Sequence, residues 1–275
     1  MRCTWILLLG ITAACSGGET GPDDSGDVGG DDTGWRDTGE PPPPLGGFIA
    51  GTVTDSAGAP VVSARISLCA TVCRTADTDD NGQYRIDGMD ALTYAFDVIP
   101  DDDSLATPLI TVTTEFQEER TLDMSLHTLS ERQNILNNAT EMELTEGLFV
   151  KLGYDVLDMG FSTETTTSAV QVPETGWPYL ELEGTVKAVW YLAPWDVGIN
   201  TDVASSLEFR ITNTWGWEAG ATIEAWQASY EHIAWELVGT MTVSEDGSEL
   251  TLTEGDGLNV LTTLVLVDPA AEEGS

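Results

Sequence analysis

From Phe48 onward the apolar residues of this chain recur at every second position in short runs, and each run ends in a cluster of Gly, Asp, Asn or Pro. Successive side chains of a strand point to opposite faces, whereas a surface helix places its apolar residues at i, i+3 and i+4. The pattern therefore predicts an all-β chain. In the first region the candidate strands are Phe48–Thr54, Ala64–Cys69, Val72–Thr75, Gln83–Asp87, Tyr94–Ile99, Leu109–Phe116 and Arg120–Leu126. Such a set suits a two-layer sandwich. Period two places Tyr84 with Ile86, Tyr94 with Phe96 and Val98, and Leu122 with Met124 and Leu126, and these are the expected core.

A second β-rich region follows, expected to open with a capped helical turn at Ser130-Glu131-Arg132-Gln133. Alternation then puts Leu148, Val150, Leu152 and Tyr154 on one strand face, Val186, Ala188, Trp190 and Leu192 on another, and Leu207, Phe209 and Ile211 on a third. A terminal strand near Leu261–Val267 closes the fold. The expected organisation is two β-sandwich-like domains in tandem, residues 47–127 and a Trp-rich β-domain at 128–271.

Residues 15–46 are mostly Gly, Asp, Thr and Pro with almost no apolar content, so they cannot build a core and are expected to form a disordered acidic tether. Pro41–Pro44 would stiffen its end into a polyproline II spacer. Ahead of it, Arg2 precedes the apolar stretch Trp5–Ile11, and Ala13-Ala14 stand directly before Cys15. This arrangement reads as a signal peptide over residues 1–14. It resembles the bacterial lipoprotein type, although Thr12 stands where that pattern usually has an aliphatic residue. The resemblance implies lipid attachment at Cys15, a membrane as partner through that lipid, and an exported protein at the outer membrane or cell surface.

The 47 acidic residues against 10 Lys and Arg give a formal net charge of −37. Such a field repels phosphate backbones and anionic head groups, which excludes nucleic acid as a partner. Divalent cations are the ligands it would attract, and Asp77, Asp79 and Asn81 offer oxygen atoms to calcium. Short Asx turns of the same composition are normal between strands, and no acidic residue follows Gly82 until Asp87, so the turn reading is preferred and no cofactor is expected.

Cys69 and Cys73 flank Ala70-Thr71-Val72, and a tight hairpin would set them opposite each other within disulfide reach. An exported protein favours the oxidised pair. Seven of the nine tryptophans lie between Trp177 and Trp235. Trp190 and Trp235 fall on apolar faces and read as core, while Trp195, Trp215, Trp217 and Trp226 are less well explained and are the candidate ligand-binding residues for an envelope glycan. The sequence offers two histidines, His127 and His232, and no nucleophile elbow, zinc-protease helix or phosphate loop, so no catalytic residue is assigned.

The run Gly51-x-Val53-x-Asp55-x-x-Gly58-x-Pro60-Val61-x-x-Ala64-x-Ile66-x-Leu68, followed by Thr78-Asp79-x-Asn81-Gly82-x-Tyr84-x-Ile86, resembles a carboxypeptidase regulatory-like domain of the transthyretin-like sandwich type. The likeness extends over roughly Gly47 to Leu126 and implies an accessory fold without an active site. The stretch Ile211–Leu252 more loosely resembles a module of bacterial cell-surface proteins. Together these features lead to the expectation of a non-enzymatic, lipid-anchored envelope or surface protein with a structural, display or adhesion-like role. The alternatives are a carbohydrate- or envelope-binding module using the distal domain, or partnership with a surface protein, and thirdly a hydrolase.

Overall fold

The computed structural model describes residues 46–134, 141–151, 166–198 and 207–269. The signal peptide, Cys15 and the tether up to residue 45, as well as Leu152 and Tyr154, lie outside the described residues. The chain is all-β, as the alternation predicts, and among the described residues the one complete helical turn is the 3-10 turn at Glu174–Gly176. No helix among them is long and apolar enough to cross a membrane.

The first module is a sandwich of two sheets. One contains β4 (Gln83–Met89), β1 (Gly47–Asp55) and β7 (Glu119–Thr121), with β8 (Met124–Leu126) pairing farther along β1. The other runs β3 (Cys73–Asp77), β2 (Arg65–Cys69), β5 (Thr93–Ile99), β6 (Leu109–Thr113). Tyr84, Ile86, Tyr94, Phe96, Val98, Leu122, Met124 and Leu126 all enter the core between them, together with Ile49, Val53, Ile66 and Leu68.

The segment Arg120–Leu126, read as one strand, is broken at Leu122-Asp123 into two short strands that both run parallel to β1. The break has a partner on each side. Asp123 Oδ1 accepts the Thr52 N–H at 2.8 Å, and the Leu122 carbonyl accepts the Tyr84 hydroxyl at 2.7 Å. Gly51 makes this possible, because a Cβ there would lie 1.9 Å from the Leu122 carbonyl oxygen. Gly82, at φ +73°, turns the chain between β3 and β4 and packs under the Val53 carbonyl.

The second module is a ten-stranded sheet. Its order is β10 (Met142–Thr145), β11 (Leu148–Lys151), β15 (Glu208–Thr212), β18 (Glu249–Glu254), β17 (Ala234–Val243), β16 (Thr222–Ser229), β20 (Thr263–Asp268), β13 (Thr185–Ala193), β12 (Thr166–Val172) and β9 (Gln133–Asn134). A small separate pair joins β14 (Val197–Gly198) to β19 (Val260–Leu261). The long sheet curls until β10 packs against β12, a sandwich-like closure around Leu148, Val150, Trp190, Phe209, Ile211, Met241, Leu264 and Leu266.

Three expectations are corrected here. Ser130–Gln133 is extended: the Ser130 N–H bonds the Ala169 carbonyl at 3.0 Å and its hydroxyl accepts the Ala169 N–H, so the side chain serves a strand partner instead of a helix cap. Val186 does not share a face with Ala188, Trp190 and Leu192, because the β13–β20 pairing steps over Lys187 and reverses the phase. The closing strand is interrupted at Thr262, whose hydroxyl bonds the Ala228 carbonyl at 2.7 Å.

Strands β13 and β20 are covered on both faces. One face enters the core of the curled sheet, while Val189, Tyr191, Val265 and Val267 on the other pack with Ala106, Leu129, Trp177 and Leu180. This explains the unbroken apolar runs Ala188–Leu192 and Leu264–Val267, which a half-exposed strand would not carry. Both modules lie within one compact unit of the chain.

Candidate functional site

The seam between the modules gathers the polar and aromatic groups that the two cores leave over. Alternation along β5 sends Tyr94, Phe96 and Val98 inward and leaves Ala95 and Asp97 on the outer face of their sheet. That face is covered: Ala95 and Leu109 pack with Ala228, and Trp195, Tyr230, Ile233 and Trp235 close around them. Strand β6 is the edge of its sheet, and its Leu109 N–H is accepted by the Thr263 hydroxyl of the second module at 3.0 Å. Arg120 reaches Glu181 at 3.3 Å, and the same carboxylate accepts the Thr113 N–H.

Trp235, expected in the distal core, lies in this seam instead. On β17, Leu237 pairs with Trp226 and Gly239 with Ala225, so Val238 is an extra residue that reverses the alternation set by Met241 and Val243. Trp235 then shares the outer face with Trp226, one diagonal step away through its partner Ala228.

Asp97 is 1% exposed, and among the described residues neither carboxylate oxygen has a well-formed hydrogen bond. It stands opposite Ser67 on β2, and Asp196 and Tyr230 of the second module lie close enough to interact electrostatically. Burial pushes its carboxyl up to about 7, opposed by the nearby Ser67 hydroxyl and reinforced by the negative charge of Asp196.

Beside these residues a cleft of about 600 Å³ opens between the modules. Its walls are Thr93, Thr111 and Thr113 of β5 and β6, Glu181 and Glu183 of the connection into β13, and Glu224, Trp226 and Trp235 of the β16–β17 hairpin. The Trp226 indole N–H donates to Glu224 at 3.0 Å, and the Thr93 and Thr113 hydroxyls are 3.1 Å apart.

The four tryptophans singled out in the sequence are not assembled on one surface. Trp215 and Trp217 stack on each other at 4.7 Å and pack against the distal core, where Trp215 meets the edge of Trp190. Trp195 contacts Tyr230 edge-on in the seam. Of the four, Trp226 alone lines the cleft. Sequence reasoning missed Glu181, Glu224 and the threonines, which come together through pairing between distant strands and carry no local motif.

The hairpin cysteines are bonded, with Cys69 and Cys73 directly paired and their sulfurs 2.03 Å apart. The Tyr230 hydroxyl approaches Cys73 Sγ at 3.5 Å, so this hairpin borders the seam as well. Asp79 Oδ1 accepts the N–H groups of Asn81 and Gln83, an Asx turn that holds its carboxyl below the usual range, while Asp77 pairs with Arg65 at 3.7 Å. Among the described residues no group of three or more His, Cys, Asp or Glu side chains has metal-holding geometry. His127 is buried beside Gly176, and His232 bonds Glu236 on the surface.

The first module is a small two-layer sandwich, and residues 49–127 match the family model of the carboxypeptidase regulatory-like domain. No curated protein matches the chain. Among solved structures it is similar to the streptococcal ancillary pilin, with 10% identity, TM-score 0.27, and coverage of 80% of this chain and 58% of that one. It is also similar to the Bacillus anthracis TIE protein, with 13% identity, TM-score 0.26, and coverage of 77% and 44%. The full-length major pilin SpaD of Corynebacterium diphtheriae gives 10% identity, TM-score 0.28, and coverage of 83% and 57%. The chain thus spans less than two thirds of the length of each of these three.

Proposed function

We propose that this protein is a non-enzymatic surface lipoprotein, held by a lipid on Cys15, whose role is to display a stiff two-module β unit at the end of an acidic tether. The seam carries this reading. A chain that swings its domains keeps the surface between them small and wet, whereas here the outer sheet face of the regulatory-like sandwich is buried around Ala95 and Leu109 under aromatic side chains and tied by Leu109–Thr263 and Arg120–Glu181. Rigidity of this kind suits display or adhesion better than a catalytic cycle with moving parts.

Charge supports the same reading. Each of the eight Lys and Arg side chains among the described residues pairs with a carboxylate, so the excess charge on the surface is negative. Such a surface stands off anionic lipid and polyanions and keeps the displayed unit soluble.

Intact mass of the protein from the membrane fraction tests the anchor. The expected species lacks residues 1–14 and carries a diacylglyceryl adduct on Cys15, and Cys15→Ser moves the protein out of the membrane fraction. A full-length or unlipidated mass in that fraction overturns the proposal.

A further inference from the structure

We propose that the cleft between the two modules binds a neutral saccharide, whose apolar face stacks on Trp226 and whose hydroxyls bond Glu183, Glu224 and the Thr93–Thr113 hydroxyl pair. The inference goes beyond the display role and does not depend on it.

The cleft is of small-molecule size, and its chemistry is of two kinds. Trp226 and Trp235 share one face of the β16–β17 hairpin and provide an aromatic floor. Around it stand carboxylates and hydroxyls, which between them donate and accept. A sugar ring matches both, with C–H groups on one side and hydroxyls at the rim.

The groups are also fixed before any ligand arrives. Glu224 holds the Trp226 indole N–H at 3.0 Å, which orients the ring while the carboxylate keeps further lone pairs to accept with. Glu181 is held by the Thr113 N–H at 3.0 Å and by Arg120 at 3.3 Å. Immobilised side chains lose little entropy on binding.

Other ligand classes fit less well. Among the described residues no Lys, Arg or His lines the cleft, so an anionic ligand finds no counter-charge there. A basic peptide is drawn by the net charge, but two of the three cleft carboxylates already accept protein donors, and an ammonium group, which only donates, uses the hydroxyl pair as acceptors alone.

The full chain would be titrated calorimetrically with cellohexaose, maltohexaose and chitohexaose, and with oligolysine as the cationic probe. The expected result is saturable binding of at least one oligosaccharide that also perturbs tryptophan fluorescence. Trp226→Ala weakens it at least tenfold, Glu183→Gln several-fold, and Trp215→Ala leaves it unchanged. Because Glu183 is exposed, its variant tests the site even if Trp226→Ala fails to fold. The proposal is overturned if no oligosaccharide binds at millimolar concentration, if binding persists undiminished in Glu183→Gln and Trp226→Ala, or if only oligolysine binds in a salt-sensitive manner.

Discussion

The Thr263 hydroxyl accepts the Leu109 backbone N–H at 3.0 Å, joining the edge strand of the first module to a strand of the second that is buried from Thr263 to Val267. An edge strand offers unpaired N–H groups to any neighbour, and this one is satisfied by a side chain from within the same chain. Thr263→Val keeps the shape and removes the acceptor. The Leu109 amide is then buried and unpaired, and urea unfolding should report a loss of about 1–3 kcal/mol. A neutral substitution would mean that the amide finds another partner.

Asp97 should make stability fall as pH rises. Its folded carboxyl titrates at about 7 against 3.8 for the unfolded chain, so its protonated form is shared by both states in acid and the stability it permits is complete below about 4. Between about 4 and 7 the unfolded state releases the proton first, and folding loses on the order of 4 kcal/mol at most. General charge repulsion in so acidic a chain has the same sign, so the difference between wild type and Asp97→Asn is the informative quantity. The variant should be the more stable protein at pH 8 and lose that advantage at pH 4. Parallel stability curves for the two proteins would rule out the assignment.

Gly51→Ala should be severe for so small a change. The added methyl would stand 1.9 Å from the Leu122 carbonyl oxygen and 3.1 Å from the Tyr84 ring, and neither the parallel strand nor the buried tyrosine can retreat without breaking the Tyr84–Leu122 hydrogen bond. We expect a loss of about 3 kcal/mol or more. Calorimetric melting of the variant checks it, with Ala50→Gly as a control one position along the same strand.

Breaking the Cys69–Cys73 bond should matter much less globally. It closes a loop over a sequence separation of 4, and so short a loop restricts the unfolded chain by about 2 kcal/mol or less. A soluble fragment beginning at Gly47, which lacks Cys3 and Cys15, should not react with a thiol reagent until it is reduced. The double variant Cys69→Ser/Cys73→Ser should fold, with any loss of protection from hydrogen exchange confined to residues 65–77 and their neighbours in the seam.

The architecture was legible because alternation is a local property. Tyr84, Phe96, Val98 and Met124 are core residues for the reason the sequence suggests. What was illegible depends on single extra residues. Lys187 on β13 and Val238 on β17 each reverse the phase of a strand, and nothing in their identity announces it. Alternation alone therefore puts Val186 and Trp235 on the wrong surfaces. The double burial of β13 and β20 did leave a trace, in apolar runs too continuous for a strand with one wet face. The cleft left none, since Thr93, Glu183 and Trp226 are distant in sequence and are united only by how the modules pack.

The coverage of β13 and β20 also imposes an order on assembly. A chain is made, and leaves the cell, from its N-terminus, so the strands of the sandwich, which end near Leu126, are available to pair before residues 185–193 and 263–268. The later strands then meet a surface already holding Ala106 and Leu129, against which one of their faces can dry as they pair. A distal fragment cut free at residue 128 would have lost Ala106 and the neighbouring sheet face from its covering and would expose apolar surface. The regulatory-like module thus serves as a template for its neighbour, and the junction between them is a poor place to divide the protein.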